Sequence, residues 1–399
     1  MKIERFDMER TQCLYENEIR YNLSESGVLP MSIEEVCGDA IDPSSLHRLR
    51  LKYPQSNGSP ELRGRIAHFY GGGVTADNVT VVNGGSEANY LACWALLSKG
   101  DRAACMIPNY LQTRGLARAY GSGADPFRLV ERRGSDQARW ALDIKGLRRA
   151  VSRRTRLIVV TNPNNPTGAV LTDEEMDAVV REARRVNAWI LADEIYRGAE
   201  LSGPMTPSFQ GRYEKTLITS GLSKAFGLPG LRIGWIVGPQ SMIRKLHGYH
   251  DYLTLTPTIL SERLASIAMD PKKRDEILER TRRILRTNLP VLEEWIGSRD
   301  DALTCIPPVA GAIAVVKYRV PVGSTALFNR LRLEKSVLIT PGSHFGFGRY
   351  IRIGYGYDLQ QLREGLACID PVLRQSGAAR LPGAARRTKR RRDESRVVA

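Results

Sequence analysis

The sequence predicts an α/β fold in which helices cover a mostly parallel central sheet. From about residue 78, short apolar runs alternate with segments of helical pattern, the arrangement that successive βαβ units produce. Thr172 and Glu175 have the spacing of a capping box, which marks the start of one of these helices. Polar motifs follow several of the apolar runs, at the place where open α/β sheets bind their ligands.

The predicted strands and helices follow one another in a regular order. NVTVVNG is a strand and SEANYLACWALLS the helix after it; RAACMIP is the next strand, with a helix from about Leu111. The helix DIKGLRRAVS precedes the buried strand TRLIVVTNP, and the helix DEEMDAVVREARRVN precedes the strands AWILADEIY, TLITSG and RIGWIVG. After about residue 262, a long charged helical segment contains Pro290, which we expect to kink it, and a smaller α+β region follows.

The length of 399 residues suits two domains and a tail rather than one core. We expect a large domain at residues 41–265 and a small C-terminal domain at 266–375, with residues 1–40 contributing to the small domain and to a substrate loop. Residues 376–399 form a basic tail that we expect to be disordered. The last twenty residues hold eight Lys or Arg and two acids, a net +6 of the chain's +16.

Composition disfavours several classes of protein. There is no run of about eighteen apolar residues, and the charged N-terminus lacks the apolar core of a secretory signal, so we expect a cytoplasmic protein without a membrane span. The six cysteines show no C-x-x-C spacing and the five histidines no H-x-x-x-H pair, so no metal site is predicted. The basic tail could contact nucleic acid, but no helix-turn-helix candidate precedes residue 40, which disfavours a nucleic-acid-binding regulator.

One lysine is unusual because of its neighbours. Lys224 lies in TSGLSKAFGLPGLRIGW among small and apolar residues, with Arg232 eight positions later. A surface lysine on a glycine-rich loop is one explanation. The other is an amine placed to form a Schiff base.

Three motifs at the ends of predicted strands bear on this choice. NGGSEANY (83–90) places two glycines and Ser86 at the start of a helix, where free N–H groups bind anions, although turn glycines before helices are common. NPNNPTG (162–168) is either a ligand loop or simply a stiff strand-to-helix turn. LADEIYRG (191–198) ends a buried strand on Asp193, whose carboxylate needs a cationic partner.

In combination and in this order, the motifs G-G-S-E, N-P-x-N-P-T-G, D-E-x-Y and S-K-x₇-R resemble the class I/II aminotransferases. These are fold type I enzymes that use pyridoxal 5′-phosphate (PLP), and the resemblance covers roughly residues 20–372. It implies a large domain with a mostly parallel sheet, a smaller α+β domain, and a cofactor that acts as an electron sink. Lys224 matches the lysine that forms the Schiff base and carries the proton.

The resemblance implies roles for other residues as well. Asp193 would pair with the pyridinium nitrogen, Asn165 and Tyr196 would bond the phenolic oxygen, and Tyr110 would stack on the cofactor ring or be an ordinary core tyrosine. Tyr196 and Asp193 thereby join Lys224 in the catalytic set. Four residues would hold the phosphate through backbone, hydroxyl or guanidinium groups: Gly85, Ser86, Ser223 and Arg232.

Substrate and assembly follow from the same resemblance. Arg352 in YIRIGYG would bind the amino acid's α-carboxylate, with Asn165 beside it. Gly27 in YNLSESGVLP, which stands in place of the common G-E-P pattern, would line the substrate pocket with its backbone. Tyr53 would reach the phosphate site of a neighbouring subunit, which implies a homodimer with shared active sites.

The chain departs from the family pattern at two places. Gly221 stands three positions before the lysine, where a phosphate-binding serine is common, so either Ser220 compensates or the phosphate has one contact fewer. The segment YHDYLTLTPT falls where partner side chains shape the substrate pocket; it contains His250 and Asp251 but no arginine. This disfavours a dicarboxylate donor and permits a cationic or neutral one.

The leading function is therefore a PLP-dependent aminotransferase that moves the α-amino group of an amino acid to a keto acid. The patterns S-E-S-G-V and L-S-K-x-x-x-L-P-G-L-R also resemble a subgroup that contains capreomycidine synthase, in which the same cofactor serves elimination and cyclisation of an arginine derivative. A PLP-dependent lyase or cyclase acting on an arginine-like amino acid in specialised metabolism is the alternative, because these reactions share the catalytic residues.

Overall fold

An eight-stranded sheet lies at the centre of the computed structural model, which describes residues 3–38, 43–134, 138–299 and 302–378. The strands are numbered in chain order. From one edge of the sheet to the other they lie in the order β2 (Val79–Val82), β9 (Gly234–Val237), β8 (Thr216–Gly221), β7 (Trp189–Asp193), β6 (Thr155–Thr161), β3 (Arg102–Ile107), β4 (Ala124–Arg132) and β5 (Arg139–Leu142). Neighbouring strands are parallel from β8 to β4. Because β9 is antiparallel to both β8 and β2, strand β2 again runs in the same direction as the central strands.

Helices pack against this sheet, and its central strands are buried on both faces. Along β6, Leu157 and Val159 belong to one apolar cluster, whereas Ile158 and Val160 belong to the other. Burial of each such side chain contributes about 1.5–3 kcal/mol to stability. The helices here are α4 (Pro60–Tyr70), α5 (Gly85–Leu96), α6 (Gln112–Tyr120), α7 (Ile144–Ala150), α8 (Asp173–Val186), α9 (Gln240–His250) and α10 (Ile259–Ala268).

A smaller antiparallel sheet follows in the C-terminal part of the chain. Its strands are, in spatial order, β10 (Leu303–Cys305), β11 (Ile313–Tyr318), β14 (Tyr350–Gly354) and β13 (Thr340–Pro341). The helices of this part are α11 (Pro271–Gly297), α12 (Ser324–Lys335) and α13 (Leu359–Ala378).

The N-terminal segment joins this smaller part. It contains α1 (Asp7–Tyr15), β1 (Tyr21–Asn22) and the short helices α2 (Ile33–Cys37) and α3 (Pro43–His47). Strand β1 pairs in parallel with β12 (Val337–Leu338). The backbone carbonyl of Glu25 lies so close to Gly354 that no Cβ would fit there, so the segment after β1 packs directly on β14.

The predicted elements of the large sheet are confirmed. The predicted capping box is present at the start of α8: the Thr172 hydroxyl accepts the Glu175 N–H at 3.2 Å, and the Glu175 carboxylate accepts the Thr172 N–H at 3.0 Å. Pro290 lies inside α11, and the kink expected there stays a prediction. Helix α13 continues to Ala378, so the predicted tail is helical over residues 376–378, and its remainder lies outside the described residues.

Among the described residues, neither a membrane-spanning helix nor a metal-binding cluster is found. Within the described ranges, no helix is both long and apolar enough to cross a membrane. No group of three or more His, Cys, Asp or Glu in the same ranges is arranged to hold a metal ion. The domain boundaries at residues 41, 265 and 375 stay a prediction.

Candidate active site

A cavity of about 360 Å³ lies at the carboxyl edge of the central sheet. Strands β2, β3, β6, β7 and β8 run in one direction, so the segments that follow them meet at this edge. Nine of the predicted site residues line the cavity together: Gly85, Ser86, Tyr110, Asn165, Asp193, Tyr196, Ser223, Lys224 and Arg232.

Lys224 follows β8, and its side chain lines the cavity rather than the outer surface. Burial lowers the pKa of its amine; the carboxylate of Glu25 opposes this shift, and the cation of Arg352 adds to it. A larger fraction of this amine is therefore uncharged and nucleophilic than in a lysine in water. The alternative explanation, an ordinary surface lysine, is wrong.

Asp193, the last residue of β7, is held in a fixed orientation. Its Oδ2 accepts a hydrogen bond from Asn89 Nδ2 at 3.0 Å, and its Oδ1 accepts the N–H of Ile195 at 3.1 Å. Asn89 is fixed in turn, because its Oδ1 accepts the Thr219 hydroxyl at 2.7 Å. Burial raises the pKa of Asp193, whereas the bonds from Asn89 and Ile195 lower it. No described cation pairs with this carboxylate, so a cation in the cavity would find a ready partner.

Asn165 and Tyr196 form the next part of the cavity wall. Asn165 Oδ1 accepts a hydrogen bond from Arg352 Nη1 at 3.0 Å, which fixes the amide. Burial raises the pKa of Tyr196 to about 12, although the cation of Arg352 and a hydrogen bond with Ser26 lower it. The phenol therefore stays protonated and can donate a hydrogen bond to an oxygen in the cavity.

Arg352 itself lies behind Asn165 and does not line the cavity. It is only 1% exposed, and its Nη2 donates to the Ser24 carbonyl at 2.5 Å and to the Thr340 hydroxyl at 3.0 Å. Its Nε has no partner within the described residues. The predicted carboxylate-binding arginine is thus next to the predicted amide, but it is more deeply enclosed than the sequence indicated.

The turn between β2 and α5 has the features of an anion site. Gly84 has φ = +92°, and α5 begins without a side-chain cap, so its first N–H groups are free to bind a ligand. A Cβ on Gly234 would lie 2.6 Å from the Gly85 nitrogen, so only glycine allows β9 to approach this turn. Ser86 and Arg232 line the cavity beside it and add a hydroxyl and a guanidinium.

Gly221 cannot be replaced by the serine that is common at this position. A Cβ there would lie 2.7 Å from the Ile233 carbonyl oxygen. Ser220 does not compensate, because its hydroxyl donates to the Glu194 carbonyl at 3.2 Å and the residue does not line the cavity. Of the two alternatives drawn from the sequence, the structure favours an anion site with one contact fewer.

Tyr110 lies at the cavity wall as predicted. Its hydroxyl is 3.5 Å from Ser86 Oγ, and its ring meets Phe6 edge to face with a centroid separation of 4.9 Å. Burial is the main reason that the pKa of Tyr110 lies well above its ordinary value. Tyr110 therefore lies where a ring in the cavity could contact it, and its stacking on the cofactor stays a prediction.

The two other polar residues of the LADEIYRG motif serve packing. Glu194 Oε1 accepts hydrogen bonds from the Ser208 hydroxyl and the Phe209 N–H, both at 2.8 Å, and burial raises the pKa of this carboxyl to about 7. The Arg197 guanidinium lies 4.7 Å from the ring centroid of Phe69. Neither Glu194 nor Arg197 lines the cavity.

Comparison with known proteins agrees with this geometry. The model of the family "Aminotransferase class I and II" matches residues 19–369. The chain belongs to the class I and II aminotransferases. Capreomycidine synthase from Streptomyces vinaceus is 31% identical over 361 residues, which cover 89% of this chain and 90% of that protein.

Solved structures of other family members have the same fold. A PLP-dependent aminotransferase from Streptococcus suis superimposes with a TM-score of 0.86 at 29% identity, covering 94% of this chain and 99% of that one. The PLP-dependent cyclase OrfR has a TM-score of 0.82 at 27% identity, covering 94% and 98%. The predicted fold type I architecture is confirmed, and this aminotransferase-family chain is a PLP-dependent enzyme.

The cavity of this family member fits pyridoxal 5′-phosphate. The uncapped start of α5 and the guanidinium of Arg232 suit a phosphate, and the unpaired carboxylate of Asp193 suits a protonated ring nitrogen. Lys224 lines the same cavity, and its amine is of the type that attaches this cofactor covalently.

Three of the predicted site residues of this aminotransferase-family protein do not line the cavity. Gly27 packs against Lys224, since a Cβ on it would lie 3.1 Å from the Ser223 carbonyl and 3.6 Å from Lys224 Cδ. Arg352 lies behind Asn165, as described above. Tyr53 is 80% exposed on a separate surface, so its role toward a second subunit stays a prediction.

The segment around His250 differs from the sequence-based expectation. His250 is fully buried, and its Nε2 lies 2.9 Å from the Thr254 hydroxyl and 3.6 Å from Glu87 Oε2. It is therefore not available to shape a substrate pocket. Asp251 is exposed and stays a candidate for contact with a second subunit.

Helix α1 carries cavity residues that the motifs did not reveal. The cavity lining includes four residues of this helix and its C-cap: Glu9, Gln12, Cys13 and the C-cap Glu16. Glu25 lines the cavity from the segment after β1. The first four are spaced i, i+3, i+4 and i+7, which places them on one helix face. That spacing was a signal in the sequence, but the family motifs do not include it.

Proposed function

We propose that this protein is an aminotransferase that moves the α-amino group of an amino acid to a keto acid, with PLP attached to Lys224 as a Schiff base. The observation that carries the proposal is the meeting of an amine, a carboxylate and an anion-binding turn in one cavity. Bound PLP supplies an electron sink for charge on the carbon that bears the amino group.

The residues of this chain have distinct tasks in that reaction. Lys224, whose amine has a lowered pKa because of burial, takes the α-proton and returns it, as general base and then general acid. Asp193 keeps the ring nitrogen protonated through a charge-assisted hydrogen bond. Asn165 and Tyr196 hold the phenolic oxygen, and Arg352, next to Asn165, attracts the α-carboxylate of the substrate.

The phosphate is held by the backbone at the start of α5. Gly85 and Ser86 present N–H groups and a hydroxyl, Ser223 lines the same cavity, and the Arg232 guanidinium lies so close to Gly84 that a Cβ there would clash with it. Because Ser220 turns away, Arg232 carries a larger share of this binding than it would beside a serine at position 221.

Single-turnover measurements test the reaction class. We expect an amino acid added without a keto acid to convert the holoenzyme to a form that retains the amino group, and a keto acid to reverse this change. Product release with no amino group left on the cofactor would contradict transamination. It would support elimination or cyclisation instead.

A lyase or cyclase acting on an arginine-like amino acid is the second candidate, and the charge of the cavity favours its substrate. Besides Asp193, three carboxylates line the cavity: Glu9, Glu16 and Glu25. None of them is within ion-pair distance of a Lys, Arg or His among the described residues, and Glu25 Oε1 instead accepts Gln12 Nε2 at 2.6 Å. A cationic side chain would neutralise this wall, which we name the acidic wall.

Repulsion within the acidic wall supports the same conclusion. Burial raises the pKa of Glu16, and the neighbouring carboxylates of Glu25 and Glu9 raise it further, against a hydrogen bond from Gln12. A substrate carboxylate in the same place would increase the repulsion, whereas a guanidinium would relieve it. Similarity to capreomycidine synthase and to the cyclase OrfR also supports this candidate.

The acidic wall predicts a preference for arginine over citrulline, its neutral isostere. We expect Glu16→Gln to lower the ratio of the two binding affinities by about tenfold, since a hydrogen bond to a charged group contributes roughly 1.5–3 kcal/mol. Glu18→Gln is the matched control: it removes the same charge two positions away, from an exposed residue that does not line the cavity. The measurement is the dissociation constant of each amino acid for the holoenzyme.

The outcomes separate the two candidates. Equal binding of arginine and citrulline by the unaltered protein would reject the cationic substrate and leave transamination of a neutral amino acid. Failure of every amino acid to react would reject the function as a whole.

We also propose that the protein is a homodimer. Large apolar side chains are exposed near Tyr53 and in the loop after α9: Leu51, Tyr53, Tyr252, Leu255 and Leu260 are between 43% and 81% exposed. Apolar side chains clustered in this way mark interfaces. Sedimentation equilibrium at micromolar concentration tests the proposal, and a monomer would contradict it. A cytoplasmic location stays a prediction.

A further inference from the structure

A polar network adjoins the β2–α5 turn, and its side chains do not line the cavity. The Thr254 hydroxyl donates to Glu87 Oε1 at 2.7 Å, accepts from Asn83 Nδ2 at 2.7 Å, and lies 2.9 Å from His250 Nε2. A hydroxyl has one proton and two acceptor positions, so these three contacts saturate it. His250 Nε2 must then be a donor, which assigns its proton to that nitrogen.

The other members of this network are buried or partly buried. His250 is fully buried, and its Nδ1 has no partner among the described residues. Burial alone would raise the pKa of Glu87, but hydrogen bonds from His250, Thr254 and the Asn83 backbone lower it overall. The Glu87 carboxylate is therefore held in place as the acceptor of hydrogen bonds from the Asn83 backbone N–H and the Thr254 hydroxyl.

The network holds one residue of the turn at two points. The backbone N–H of Asn83 donates to Glu87 Oε2 at 2.5 Å, and its side-chain amide donates to Thr254 and, at 3.3 Å, to the Thr256 carbonyl. Asn83 precedes Gly84, which has φ = +92° and is followed by the uncapped first N–H groups of α5. The orientation of these N–H groups thus depends on contacts from the loop at residues 250–256.

The loop is itself held in an unfavourable conformation. Leu255 has φ = +65°, a left-handed conformation that costs a non-glycine residue on the order of 1 kcal/mol. Such a conformation persists only where surrounding contacts hold the backbone in place. The hydrogen bonds of Thr254, the preceding residue, are contacts of this kind.

We propose that Thr254, fixed by Glu87 and His250, is a positioning residue for the phosphate-binding turn at residues 83–85. It touches neither the cofactor nor the substrate, and it acts by holding Asn83. The proposal rests on the placement of the phosphate given under the proposed function.

The affinity ratio of PLP to pyridoxal, which lacks the phosphate, tests the proposal. We expect Thr254→Val, which removes only the hydroxyl, to lower this ratio about fivefold, as the loss of one hydrogen-bonding group implies. Thr254→Ser retains the hydroxyl and should restore the ratio. Cofactor release from the purified holoenzyme should be faster in Thr254→Val and unchanged in Thr254→Ser.

Two further variants make the result specific. Thr258→Val removes the hydroxyl that caps α10, where it accepts the Ser261 N–H at 3.2 Å; it should lower stability but leave the ratio unchanged. Arg232→Gln, at the predicted phosphate contact, should lower the ratio strongly. An unchanged ratio in Thr254→Val beside a lowered ratio in Arg232→Gln would overturn the positioning role. An unchanged ratio in both would overturn the phosphate placement itself.

Discussion

Replacement of Lys224 by alanine is expected to lower turnover at least about 10³-fold while the fold is retained, because general acid–base catalysis alone contributes about 10²–10⁴-fold. The variant loses the only lysine that lines the cavity among the described residues, and with it the covalent attachment of the cofactor. Alanine leaves a larger cavity, and burial, which lowers the pKa of the Lys224 amine, already disfavours the charged form that is removed. Stability should therefore change little.

The visible spectrum and the turnover number measure this effect. The Lys224→Ala protein should lack the absorbance of the lysine-bound cofactor, although it can still bind PLP through the start of α5. Lys99→Ala, at an exposed position, is the control for removal of a lysine. Normal turnover in Lys224→Ala would reject the catalytic assignment.

Replacement of Asp193 by asparagine is expected to have the second largest effect. Asparagine keeps the size of the side chain, and its amide oxygen can still accept the N–H of Ile195, but the negative charge at the ring nitrogen is lost. Truncation of a buried charged hydrogen bond costs about 2–5 kcal/mol, which corresponds to a rate loss of roughly 30-fold to several thousandfold.

Comparison of rate with cofactor content distinguishes a chemical from a structural effect. Asp193→Asn should bind PLP and lose rate, since the phosphate and Lys224 contacts remain. Asn89→Leu, which removes the donor to Asp193 Oδ2 at 3.0 Å, should give a smaller loss in the same direction. A rate loss in Asp193→Asn that disappears on correction for cofactor content would contradict the assigned role.

The sequence motifs predicted most of the cavity for a physical reason. Each motif is a short segment directly after a strand, and parallel strands deliver such segments to one edge regardless of the details of packing. Asp193 is the last residue of β7, and Lys224 follows β8 by three residues. Their convergence requires only that β7 and β8 be adjacent and parallel, which they are.

The rest of the site depends on tertiary contacts that no local pattern contains. Helix α1 reaches the cavity because Gln12 bonds Glu25, Phe6 packs on Tyr110, and the Met8 sulfur lies 3.9 Å from Arg352 Nη1. These contacts join segments that are far apart in sequence. The enclosure of Arg352 and the turn of Ser220 away from the cavity have the same origin.

The pairing of β1 with β12 has a consequence for the order in which the protein is made. Arg20 and Ser336, which bond beside this pair, are 316 positions apart, so β1 waits for its partner until most of the chain has left the ribosome. The large sheet, whose strands end at residue 237, is complete in sequence well before that point. Every contact that needs the β1–β12 pair thus forms only after the strands of the large sheet have been synthesised.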